Sequence, residues 1–325
     1  MLKSVRATLA LLACALALSS VHAADYPTKP VTVVVSFSAG GPVDSLMRAL
    51  GQRLSEEWKQ PVLIDNRPGA NEAIGAQMVA KAPADGYTLF ASTEGPLTQN
   101  QYLYKKLPYN PNKDFTAVTQ LVQVPMVLVV PTNFPANNLK EFLELARSRA
   151  SKPITYGSTG LGGVTHLPMS MLAKNTNIAF VHVPYKGAAP LLPEIVSGQI
   201  DSAFLAVSAA APFIADKKLK ALVISAPQRI PSLPQVPTFK ELGVEDVQAT
   251  FIMALTTPAG TPQPIVDKIA ASVQKIMADP KFREKYTEPF AYLPVASSPK
   301  DFAAYLAKDR GYQAERVKIS GVVLD

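Results

Sequence analysis

Two alternating hydrophobic periods constrain this chain more than any other feature. Short β-branched runs, as buried parallel strands show, give way after a turn to apolar residues spaced three and four apart. Val31-Thr32-Val33-Val34-Val35 is the first such run. Beyond Ser36 to Pro42 the apolar positions are Val43, Leu46, Met47, Leu50, Leu54 and Trp58, one face of a helix. The rhythm returns as a strand at 62–64, a helix around Ile74, Met78 and Val79, and a strand at 87–90. Further helix faces are Leu139-Phe142-Leu143-Ala146, Val164-Leu167-Met171-Leu172 and Leu191-Leu192-Ile195-Val196. Strands are expected between them at 154–156, 180–183 and 200–205. Repeated βαβ units predict an α/β fold with helices on both faces of mixed, mostly parallel sheets.

One segment breaks the rhythm. Phe115 to Val130 reads as a single strand interrupted only by Pro125, long enough to leave one sheet and enter another with proline at the crossing. Ala249 to Thr257 is a second extended segment that can bring the chain back. Two crossover strands predict a discontinuous first lobe, about 26–122 plus 250–325, and a continuous second lobe, about 123–249. A chain of 325 residues is long enough for two cores.

The first 23 residues read as a secretory signal peptide. Lys3 and Arg6 precede an uncharged apolar run from Ala7 to Ser20, and Val21-His22-Ala23 offers small residues for cleavage near Ala23. The alternative is a lipoprotein signal, in which Leu11-Leu12-Ala13-Cys14 leaves Cys14 as a lipidated terminus. Cleavage near Ala23 removes the one cysteine, and with it any disulfide or thiolate site. Export places the mature chain in a bacterial periplasm or outside the cell. The net charge of +7 falls by two when Lys3 and Arg6 leave. What remains is not concentrated in the basic stripe that a nucleic-acid binder shows.

Two loops stand out. Phe37-Ser38-Ala39-Gly40-Gly41-Pro42-Val43-Asp44 joins the first strand to its helix, with Pro42 suited to a first helical position. Tyr156-Gly157-Ser158-Thr159-Gly160-Leu161-Gly162-Gly163-Val164-Thr165-His166 has the same strand, glycine turn and helix logic in the second half. Both follow strand C-terminal ends, where open α/β sheets bind ligands, and both offer helix-start donors to an anion. Facing each other, they would clamp a small anion. The plainer reading makes each a helix start, with Asp44 as a cap. Ser92, Thr93 and Glu94, after the third strand, point to the same cleft or cap a helix before Leu97. Asp201 is either a ligand contact or an orienting group, and Ala206 to Ala209 line the exit of its strand with small groups.

Enzyme signatures are missing. There is no GxGxxG, P-loop or HExxH, and Gly157-Ser158-Thr159-Gly160 is not the GxSxG elbow. After processing only His166 and His182 remain. His182 fits a core or edge position; His166 either helps hold an anion or caps its helix. A hydrolase built on Ser158 and His166 is the enzymatic alternative. No metal site and no cofactor are expected.

Read in order, the chain resembles the Bug family of extracytoplasmic solute receptors of tripartite tricarboxylate transport systems. The resemblance spans the mature chain: Tyr26-Pro27-Thr28-Lys29-Pro30-Val31; Phe37 to Asp44; Asn66-Arg67-Pro68-Gly69-Ala70 with Ile74-Gly75-Ala76; Asp85-Gly86-Tyr87-Thr88-Leu89; and Tyr104 to Tyr109. It continues through Tyr156-Gly157-Ser158, His182-Val183-Pro184-Tyr185-Lys186-Gly187, Gly198-Gln199-Ile200-Asp201, Pro234 to Thr238 and Pro258-Ala259-Gly260-Thr261-Pro262.

The resemblance implies a two-lobed periplasmic binding protein, a Venus flytrap closing on a small organic carboxylate. It implies large and small membrane permease subunits as partners, or a sensor kinase to which the loaded receptor is presented. A monomer is expected. The expected ligand-binding residues are Phe37, Ser38, Ala39, Gly40, Gly41, Asp44, Ser92, Thr93, Ser158, Thr159, Gly160, Gly163, Thr165, His166, Tyr185, Asp201 and Ala206. Several residues depart from the family pattern. Ser36 and Ala39 replace prolines, Val43 replaces a threonine, and Asn71-Glu72-Ala73 replaces a Gly-Gly-Asn run. With Phe37, Leu161 and Phe204 as apolar wall, the expected ligand is a partly apolar or aromatic carboxylate rather than citrate. If Glu72 faces the cleft, a ligand with a cationic or neutral donor end is also open.

Overall fold

The computed structural model describes residues 26–245 and 247–325. The expected signal peptide, its cleavage point and Cys14 lie outside them. β1 (Val31–Val35) leads into α1 (Pro42–Trp58), then β2 (Val62–Asn66), α2 (Ala73–Ala80) and β3 (Thr88–Ser92). A π-helical turn (Gly95–Gln99) and the short α3 (Asn100–Leu103) precede the long β4 (Phe115–Pro131). There follow α4 (Leu139–Ser148), β5 (Thr155–Ser158), α5 (Leu167–Thr176), β6 (Val181–Pro184), α6 (Ala188–Ser197), β7 (Ser202–Ala206), α7 (Val207–Ala215) and β8 (Leu219–Ser225). The chain ends with β9 (Thr250–Pro258), α8 (Gln263–Ala278), α9 (Pro280–Tyr286), β10 (Leu293–Pro294) and α10 (Pro299–Ser320). Among the described residues, no helix is long and apolar enough to cross a membrane.

The strands form one curled sheet in the order β2-β1-β3-β9-β4-β7-β5-β6, with β8 and β10 also paired to β4. Its two flanks are parallel, β2/β1/β3 on one side and β6/β5/β7 on the other. Its middle is antiparallel around β4 and β9. β4 is the shared strand: Phe115 through Pro125 runs beside β9, and Met126 through Pro131 runs beside β8, with β7 facing its first residues. The change of partner falls between Pro125 and Met126, where a proline costs no ladder bond.

Strand alternation sorts β4 between two cores. Val124, Met126, Leu128 and Val130 join the main cluster, while Val127 and Val129 turn to a second one around Leu191, Ile195, Leu205 and Ile224. α1 buries Val43, Leu46, Met47, Leu50, Leu54 and Trp58 as its spacing predicts. It starts with Pro42 in its first turn and stops at Lys59, which is left-handed (φ 56°). Both flanks present their β–α loops at strand C-terminal ends. That places the β1–α1 and β2–α2 loops opposite the β5–α5 and β6–α6 loops.

Candidate functional site

A cavity of about 510 Å³ lies where these loops meet. From one flank it is lined by Ser36, Phe37 and Ser38 after β1, by residues 68–72 after β2, and by Gly95 and Gln99 of the π-helical turn. From the other come Thr159, Gly160, Gly163 and Val164 after β5, with Tyr185 and Lys186 after β6. Of the expected ligand residues, the fold therefore brings Phe37, Ser38, Thr159, Gly160, Gly163 and Tyr185 together around one space.

A second group braces these loops from behind. Asp44 is buried, and its carboxylate accepts bonds from Gly40 N (2.8 Å), Asn66 Nδ2 (2.8 Å) and Arg48 Nε (2.9 Å). Burial alone would raise its pKa, but these donors and the Arg48 charge hold it below the usual carboxylate range. Asp44 thus fixes the shape of the β1–α1 turn through three of its acceptor positions. Ser158 is fully buried and sits 2.7 Å from His182 Nε2 while its hydroxyl also reaches Gly160 O at 3.0 Å. Thr165 Oγ1 accepts from Thr159 N at 2.8 Å, and His166 Nδ1 accepts from Gly162 N at 2.9 Å.

The two histidines stack at 3.8 Å between ring centroids, with Tyr156 against His182 at 4.8 Å. Burial first, then the His182 ring, pushes His166 down to about 3, so it is a neutral acceptor bracing the turn. His166 lies behind the cleft, among the residues that shape the turn rather than those that line the cavity. The hydrolase option paired Ser158 with His166, whereas the fold pairs the buried Ser158 with His182.

The remaining expected residues fall elsewhere. Thr93 supports Glu72 rather than lining the cavity, and Ser92 is buried at the end of β3. Asp201 precedes β7 and accepts from Thr155 N and Oγ1 at the start of β5. That is the opposite end of the strand from Ser158, because β5 and β7 run parallel. Gly40 faces a separate recess with Pro42, Ser45, Ser208 and Tyr292, while Ala39, Gly41 and Ala206 line neither space. Two expected wall residues also move out. Phe204 is fully buried, stacked 6.4 Å from Phe239, and Leu161 points to solvent.

What residue types alone did not select is the wall formed by residues 68–72, Gly95 and Gln99. Glu72 is buried there, accepting from Ser36 Oγ (2.7 Å), from Thr93 N (2.9 Å) and from the Thr93 hydroxyl. Burial pushes its carboxyl up to about 7 against those hydrogen bonds. Asn71 and Gln99 reach across to the glycine turn, donating to Leu161 O (3.1 Å) and Gly162 O (2.7 Å). The usable signal was the departure at Asn71-Glu72-Ala73, which marks where this chain differs inside the cleft. Among the described residues no group of three or more metal-ligating side chains occurs.

Two lobes sharing a curled sheet, with strand-end loops closing over a solute-sized space, define a periplasmic binding protein architecture. A structure described as R. palustris Rpa4515 with adipate superposes with a TM-score of 0.84 at 31% identity, covering 92% of this chain and 99% of that one. MatC (Rpa3494) from Rhodopseudomonas palustris with bound malate superposes at 0.79 and 32% identity, covering 90% and 100%. The "UPF0065 protein in tcbD-tcbE intergenic region" of Pseudomonas sp. (strain P51) is 34% identical over 279 residues, 85% of this chain and 82% of that protein. The model of the tripartite tricarboxylate transporter family receptor, TctC, matches residues 46–318. The chain belongs to this family, and its family and fold are those of solute-binding receptors.

Proposed function

We propose that this receptor captures a small organic carboxylate in the 510 Å³ cleft and delivers it to a tripartite tricarboxylate-type permease with large and small membrane subunits. The observation that carries the reading is the convergence of Phe37, Ser38, Thr159, Gly160, Gly163 and Tyr185 on that one space. The adipate and malate named with two relatives of this fold support the ligand class. Phe37, Pro68, Val164 and Tyr185 favour a ligand with an apolar middle. The chain is exported to the periplasm, cleaved near Ala23, and works as a monomer. The first lobe comprises 26–122 and 250–325 and the second 123–249, joined through β4 and the start of β9.

The test is a thermal-shift screen of the chain from Ala24, refolded from denaturant to strip any carried ligand. The panel is adipate, malate, citrate, benzoate and phthalate. A ligand at about 100 times its Kd raises the unfolding free energy by roughly 2.7 kcal/mol, a shift of several degrees. One clear hit is expected. Silence from the whole panel and from the longer series below would sink the carboxylate reading.

A further inference from the structure

We propose that Glu72 and Gln99 make one end of the cleft a hydrogen-bond-accepting wall, so that the solute is a carboxylate whose other end carries N–H donors, an amine or a carboxamide. This rests on the carboxylate reading above and names the chemistry of the ligand's far end.

A carboxylate offers about four acceptor positions. Glu72 uses three of them within the protein: two on Oε2, for Ser36 Oγ and Thr93 N, and one on Oε1, for the Thr93 hydroxyl. The fourth is on Oε1, and Gly95 leaves its approach open. A Cβ at Gly95 would lie 2.8 Å from that oxygen, and Gly95 lines the cavity beside Glu72. Gln99 supplies the second acceptor. Its Nε2 donates to Gly162 O at 2.7 Å, which fixes the orientation of the amide. Its Oε1 is buried and has no hydrogen-bond partner among the described residues. A buried acceptor left unpaired is costly, and a ligand N–H that reaches it as the cleft loops adjust removes that cost.

A second carboxylate placed here would meet the Gln99 amide oxygen and, once Glu72 ionises, a like charge. Glu72 and Lys186 are the two charged side chains lining the cavity, and Lys186 stands exposed on the opposite loop beside Tyr185. The charge pattern therefore offers an anion one side of the cleft and a donor the other. Neighbours of Glu72 do not supply a cation to change this. Tyr109, which feels its charge, is held un-ionised by burial, and Ser36 and Thr93 are neutral.

The experiment is calorimetric titration of the refolded chain from Ala24 at about pH 8, where Glu72 is mostly ionised. Two matched series are used: adipate, adipic monoamide and aminocaproate; and succinate, succinamate and γ-aminobutyrate. At least one N–H-ended member is expected to bind about tenfold or more tighter than its dicarboxylate, as charge-assisted bonds allow. Glu72→Gln should erase most of that preference. Gln99→Leu leaves the Glu72 bonds in place but also removes the tie to Gly162 O, so it should weaken both ligand types, the N–H-ended one about tenfold more than the dicarboxylate.

A dicarboxylate that binds as tightly as its N–H-ended partners overturns the inference while leaving the receptor reading intact. So does an unchanged ranking in both variants. No binding by either series or by the broader panel overturns the receptor reading, and this inference with it.

Discussion

The surroundings of Glu94 disfavour its own charge. It is buried behind the cleft, where its Oε2 accepts from Ile252 N at 3.0 Å. Burial, then the Asp309 charge, raises its carboxyl to about 8, and nearby Arg316 offsets this only in part. An acid raised in the folded state binds its proton more tightly there than in the unfolded chain. Its stabilising effect is therefore complete below its ordinary value near 4.5 and is lost as pH rises through about 8. Glu94→Gln keeps an acceptor for Ile252 N–H and removes the titration. Urea unfolding at about pH 5 and about pH 8 should show the variant gaining on the wild type by on the order of 2–4 kcal/mol across that interval. A difference that stays constant with pH would refute the assignment. The comparison must be between variants, because His166, held at about 3, contributes stability that grows as pH rises toward its ordinary value. The loop that carries Glu72 has an unusual backbone. Ala70, Asn71 and Glu72 all sit in the left-handed region (φ 49°, 46° and 71°), where glycine is at ease and side chains are strained.

Elements with a clean period were legible, and those with polar inner faces were not. α1 and α4 bury the apolar stripes that their spacing announces. α10 buries Asp309, Gln313 and Arg316 alongside Phe302, Leu306 and Val317, so its inward face carries no unbroken apolar pattern. The π-helical turn at 95–99 was equally hidden, although Gln99 owes its place in the cavity to it. The glycine-rich turns were legible for a physical reason that can be tested. Gly157, near the end of β5, has no side chain because Leu191 of α6 lies against it: a Cβ there would meet Leu191 Cδ1 at 2.2 Å and Ile200 Cγ2 at 3.4 Å. Gly157→Ala should lower stability by about 1–3 kcal/mol through overpacking, read as a reduced Tm. Since β5 feeds directly into the turn at Ser158 to Gly163, the same change should weaken ligand binding. Trimming the neighbour in a Gly157→Ala/Leu191→Ala double variant should cost less than the two single changes summed. Strict additivity would mean that the two positions do not touch.

At the scale of the whole molecule, the question is whether two lobes make two folding units. The shared strand argues that they do not. β4 contributes Phe115 to Pro125 to one half of the sheet and Met126 to Pro131 to the other, and residues from both halves enter a single hydrophobic cluster. Val33 and Leu50 belong to that cluster together with Leu128, Phe142 and Phe204. Further ties run between the halves through Asn71, Gln99 and Leu103, against which Gly162 packs so closely that a Cβ would come within 2.8 Å. Cutting at either crossing would leave β4 without one set of partners and expose part of that cluster. Calorimetry should therefore show one unfolding transition with equal calorimetric and van't Hoff enthalpies, although a chain of this length could accommodate two. An excised 123–249 segment, which keeps β5 to β8 but loses β9 and the first half of β4, should lack a cooperative transition of its own. Two resolved transitions in the intact chain, or cooperative unfolding of that segment alone, would show that the halves are stable independently. Ligand closure would then be the docking of two finished domains. With one transition, closure is a bend within a single cooperative body, and a ligand that bridges the cleft raises the stability of all of it at once.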